Sequence, residues 1–225
     1  MMRNNKSANT NSRSSMLHKN ILFSGVLKAI GLITSLVIVP ITINYLNDEV
    51  YGVWMTITSV LYWITTFDIG LGNGMRNYLT EALSKGDTAL GRSYLSTTLI
   101  LLSLIALTMG AALIYPLYSI NFNSFFNTYA VSGADLRLAV IIAVAFTLMN
   151  FVLKNIGFIF VALQRYALND LLAISGNVIS LIIIYILTKV TSGSLVLVVL
   201  AYTLTSCVVY LLAAIPLFWK HPELK

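Results

Sequence analysis

Residues 21–46 read ILFSGVLKAIGLITSLVIVPITINYL, and Lys28 is the one charged side chain in that run. About 20 apolar residues suffice for a helix to cross a bilayer. A secretory signal core needs only about 7–15 and is followed by a small-residue cleavage site. This run is longer and no A-x-A follows it, so it reads as a retained anchor helix that Pro40 should kink. Before it, residues 1–19 are polar and rich in Asn and Ser, with Arg3, Lys6, Arg13 and Lys19. Such a stretch cannot bury a core and is predicted to be a disordered tail.

Working outward, further runs of the same kind follow at 50–69, 92–119, 136–163, 168–188 and 194–219. With the first, taken as 20–46, they predict an all-α integral membrane protein of about six transmembrane helices. Composition agrees, since the 225-residue chain is 58% hydrophobic and 10% charged, with mean hydropathy +0.85. Soluble domains carry about 25% charged residues, and a soluble fold could not cover this much apolar surface. The short turn Leu46-Asn47-Asp48-Glu49 predicts a tight hairpin between the first two helices.

Segment 70–91 differs. Gly70, Gly72 and Gly74 interrupt the apolar run, and Met75, Tyr78, Leu79, Ala82 and Leu83 then recur at helical spacing among polar residues. This predicts an amphipathic cytoplasmic helix ending near Gly86. The glycines do not match a G-x-G-x-x-G nucleotide loop and follow a membrane helix, so close packing or a helix break is the better account.

The net charge of +6 would suggest a nucleic-acid partner in a soluble protein. Here the cations cluster at helix ends and serve orientation. Arg76, Lys85, Arg92, Arg165, Lys220 and Lys225 share one side with the tail, while Arg137 and Lys189 lie opposite with Asp48 and Glu49. The positive-inside rule then puts both termini in the cytoplasm. Cys207 is the single cysteine and reads as a packed core thiol. His18 and His221 form no metal or nucleophile–base group, so neither a metal, a cofactor nor a catalytic residue is expected.

Lys154 lies roughly 15 Å from the cytoplasmic end of its span at 1.5 Å per residue. A lipid-facing charge there costs at least about 2.5–3.5 kcal/mol. Asn150 shares its helix face and Asn155 adjoins it. Either Lys154 lines a polar cavity or it pairs with a buried carboxylate or carbonyl. Lys28 either snorkels to the interface or lines the same cavity. Asp68, where the second span meets the glycines, is expected to pair with a cation such as Arg76, or to take part in coupling.

Taken together, VPITINYL (39–46), VYGVW (50–54) and FDIGLGNG (67–74), followed by the amphipathic RN…EA…KGD, resemble the start of the polysaccharide-transport and O-antigen flippase family. That family belongs to the multidrug/oligosaccharidyl-lipid/polysaccharide exporter superfamily. The resemblance covers roughly residues 20–220. It implies one six-helix lobe of a two-lobe exporter in the bacterial inner membrane. Its substrate would be an undecaprenyl-diphosphate-linked oligosaccharide for O-antigen, lipopolysaccharide or another surface polysaccharide. It further implies a cationic cavity, for which Lys28, Lys154 and Arg76 are the candidates, with Asp68, Asn73, Asn150 and Asn155 as supporting polar groups. Residues 220–225 fall where an inter-lobe linker would begin. A missing second lobe or a self-pairing partner is therefore expected, the chain being a truncated or half-size form. A drug or ion antiporter would instead need acidic residues deep in the spans, where this sequence has lysines. A non-transporting assembly subunit would use those lysines against partner helices.

Overall fold

The protein is described here by a computed structural model covering the backbone of residues 3–224 and the side chains of residues 22–224. Its helices are α1 Arg3–Leu46, α2 Asp48–Thr66, α3 Leu71–Ser84, α4 Thr88–Ser119, α5 Phe122–Phe126, α6 Gly133–Leu153, α7 Asn155–Ala162, α8 Tyr166–Val190 and α9 Leu195–Lys220, with a final 3-10 turn Pro222–Leu224. The described residues contain no strand. Five stretches are long and apolar enough to cross a membrane, or six when α2 and α3, bent by 43° at their junction, are counted as one span. The chain is a multi-pass, all-α membrane protein.

Several sequence expectations change in detail. The backbone is helical from Arg3, where a disordered tail is expected, because extending a helix already nucleated in the span costs little. α1 runs through Pro40 to Leu46. Segment 70–91 holds the expected amphipathic helix, α3, which ends at Ser84 just before Gly86 reverses the chain at φ +74°. It also holds the first turn of α4, which begins at Thr88, earlier than the expected 92, capped by the Asp87 carboxylate. The fourth span is α6 plus α7, interrupted at Lys154. After α9 the chain turns back, and Leu224 is buried in the core.

The predicted hairpin is tighter than a loop. Asn47 alone links α1 to α2, at φ +73°, and its side-chain oxygen caps α2 by accepting from the Val50 N–H at 3.0 Å. At the same end of α2, Glu49 accepts a short hydrogen bond from the Thr128 hydroxyl, tying in the α5–α6 connection.

α6 and α9 run together at the centre, α8 packs on α9, and α1 lies along α8. Small side chains make the central approach close: Ala139 and Ala143 are fully buried, as expected where helices in lipid associate through van der Waals contact. The Ser180 hydroxyl donates across to the Ala201 carbonyl at 2.7 Å. Two apolar clusters result. The larger gathers Trp54, Ile57, Leu136, Val198 and Val199. The smaller joins α3, α7 and α9 through Met75, Leu79, Ile159 and Leu217. Exposed Leu32, Leu36 and Leu107 form the surface that lipid covers.

Candidate functional site: a polar groove and a broken span

The break between α2 and α3 is built by Phe67–Gly70. Ile69 and Gly70 both have positive φ, +48° and +78°. A β-branched residue in that region is strained, while glycine adopts it freely. A break between two helices exposes their ends, and the unpaired carbonyls and N–H groups there must find partners when buried.

Two charges meet that need. The Asp68 carboxylate accepts from the Gly72 N–H at 3.1 Å, placing negative charge at the N-terminus of α3. The Lys154 ammonium lies 3.4 Å from the Thr65 carbonyl, in the last turn of α2. It is also 3.6 Å from Asp68 Oδ2 and 5.2 Å from the centre of the Phe151 ring. Each charge therefore faces the helix end whose dipole it complements. The last turn of α2 carries no basic residue of its own, so Lys154 supplies one from another helix. The partner of Asp68 is thus Lys154, not Arg76 as expected. Arg76 instead donates to the side chain of its neighbour Asn77, at 3.3 Å, because α3 turns it away from the break.

Thr65, whose carbonyl Lys154 approaches, also lines a groove of about 420 Å3 between α2, α6, α8 and α9, whose lining does not include Lys154 itself. Thr58, Tyr62 and Thr65 line it from α2, Thr147 and Asn150 from α6, and Asn177, Thr203 and Ser206 from α8 and α9. These polar side chains sit in otherwise apolar spans, where lipid would not solvate them. Asn150 lines the groove, and its side-chain oxygen is buried without a hydrogen-bond partner.

The remaining predicted residues are dispersed. Lys28 is exposed on α1 and Asn73 is exposed on α3. Among the described residues, no ion pair joins Lys28 or Arg76 to another group. Asn155 is fully buried and donates to the Phe151 and Val152 carbonyls, each at 3.1 Å. It abuts Gly72, where an added Cβ would meet its oxygen at 2.5 Å. Asn155 therefore belongs to the α3–α7 contact and not to the groove. Gly72 explains the glycine run: it is the close approach that lets α3 dock beside the break.

The polar lining was legible in one respect the sequence reading did not use. Thr58, Tyr62 and Thr65 recur at helical spacing, as do Thr147, Asn150 and Lys154. Polar residues on one face of an apolar span mark a shared wall.

No family model and no solved structure matches the chain. The chain is similar to a protein of Salmonella typhimurium described as "Putative O-antigen transporter", with 33% identity over 73 residues. That match takes in 32% of this chain and 16% of the Salmonella protein.

Proposed function

We propose that the chain serves polysaccharide transport by flipping an undecaprenyl-diphosphate-linked oligosaccharide across a bacterial inner membrane, with both termini cytoplasmic. The observation that carries this reading is a groove inside the spans lined largely by hydroxyls and amides, with the Lys154 ammonium against the carbonyl of its lining residue Thr65, in a chain similar over part of its length to a protein described as "Putative O-antigen transporter". The groove's hydroxyls and amides match the hydrogen-bonding surface of a sugar. The Lys154–Asp68 distance of 3.6 Å is longer than the about 2.7–2.9 Å of a tight charged hydrogen bond. A diphosphate can therefore draw the ammonium toward the groove, and lysine, a point charge, can release it again. Lys28 and Arg76 would extend the cationic surface, with Asn73 beside them, once a second helical body closes the groove. That body is a second lobe or a second copy of the chain.

The ion pair also favours a second reading, in which Lys154 only holds the broken span and the chain is a non-transporting assembly subunit. Against a drug or ion antiporter stands the groove lining, which contains no carboxylate. Complementation of a strain lacking its oligosaccharide flippase separates these readings. The unaltered chain, alone or joined to the second half of a two-lobe relative, should restore surface glycan. Lys154→Ala should abolish restoration at equal membrane abundance. Loss of glycan only in proportion to lost abundance would favour the assembly role, and no restoration in either form would refute the flippase reading.

A further inference from the structure

α2 separates two grooves of opposite character. On its far side α2 and α4 stand apart, each against α6. The cleft between them has a volume of about 410 Å3, and every side chain lining it is apolar or aromatic. Ile57–Phe67 forms one wall, Met109–Ile120 the other, and Val140 and Val144 of α6 the floor. At 1.5 Å per residue each wall is about 15 Å long, half of a hydrocarbon core about 30 Å thick. Water gains nothing from such a surface.

A cation adjoins one end of this cleft, outside its apolar lining. Arg137 lies one helical turn before Val140, and its Nη2 donates weakly, at 3.5 Å, to the carbonyl of Ile120, itself part of the wall. Its Nε is buried without a partner, and among the described residues no carboxylate pairs with it. A partly buried guanidinium beside an apolar cleft is costly unless an anion joins it, and its fork fits phosphate oxygens two at a time.

We propose that this cleft binds an anionic phospholipid of the surrounding bilayer, one hydrocarbon chain lying between α2 and α4 and the phosphate resting on Arg137. The site is separate from the polar groove and does not depend on the transport reading. Occupancy would wedge the wall that α2 shares with that groove, since Leu61 lines both.

The test is native mass spectrometry of the detergent-purified full chain titrated with phosphatidylglycerol. Diacylglycerol of the same chains and inorganic phosphate serve as competitors. Ala112 is exposed and faces the cleft, so Ala112→Trp fills it without entering the core. The expected result is that phosphatidylglycerol binds, that Arg137→Gln and Ala112→Trp each weaken it about tenfold, and that neither competitor displaces it. Equal binding by both variants, displacement by inorganic phosphate, or equal affinity for diacylglycerol would overturn the proposal. The comparison of lipids on the unaltered chain decides the matter even where a variant fails to fold.

Discussion

Replacing Lys154 with methionine and Asp68 with asparagine, singly and together, measures what holds the α2–α3 break. At 3.6 Å and an effective dielectric of about 20, the gross attraction is roughly 4–5 kcal/mol. The two side chains are only 25% and 13% exposed, so desolvation offsets most of that. A net coupling of about 1–2 kcal/mol remains. Each single variant leaves the other charge partly buried and unpaired, which should cost about 2–3 kcal/mol. For a chain of this size each kcal/mol lowers Tm by about 2–4 °C. Asp68→Asn keeps an oxygen for the Gly72 N–H, so its loss reports the charge more than the cap. The assay is denaturant or thermal unfolding in micelles followed by circular dichroism. The double variant should be less destabilised than the two singles combined, by the coupling energy. Additivity within about 0.3–0.5 kcal/mol would refute the idea that the pair holds the break.

Two further substitutions and one labelling experiment test the packing. Gly72→Ala should destabilise by about 1–3 kcal/mol, because its Cβ would meet the Asn155 oxygen and Phe158 at 2.5 Å. In the same unfolding assay Gly74→Ala should be neutral or stabilising by up to about 1 kcal/mol, since nothing lies within 4 Å of its Cβ position. Cys207 is buried and its thiol donates to the Phe146 carbonyl at 3.2 Å. A membrane-permeant maleimide should therefore label it only after denaturation, and rapid labelling of the folded chain would contradict the packing of α9 on α6.

The helices and their approximate limits were legible because lipid imposes a single rule, a long apolar run, on every span. The tight hairpin at Asn47 and the break at the glycines were legible for a similar reason: the polar run Asn47-Asp48-Glu49 and one glycine cluster interrupt otherwise continuous runs. What pairs with Asp68 was not legible. Arg76 is eight positions away in the chain and Lys154 is eighty-six, and only the docking of α3 against α7 brings the latter close. Asn155 shows the complementary error. Its neighbour Lys154 turns to the break, while Asn155, 100° around the helix at 3.6 residues per turn, turns to Gly72. Adjacency in sequence therefore did not mean a shared cavity. The groove itself is assembled from four helices, and its periodic threonines and asparagines become a site only when those faces meet.

On the proposed function, the polar groove receives a lipid-linked oligosaccharide. The most direct test places a photoreactive amino acid at Tyr62, which is exposed in the groove, and at Leu101, which is exposed on α4 outside it. The chain is expressed in a strain making undecaprenyl-diphosphate oligosaccharide, irradiated, and probed for attached glycan. Attached glycan is expected at Tyr62, lost on Lys154→Ala, and none at Leu101. Equal labelling at both positions, or none at Tyr62 in a chain that reaches the membrane, would contradict it.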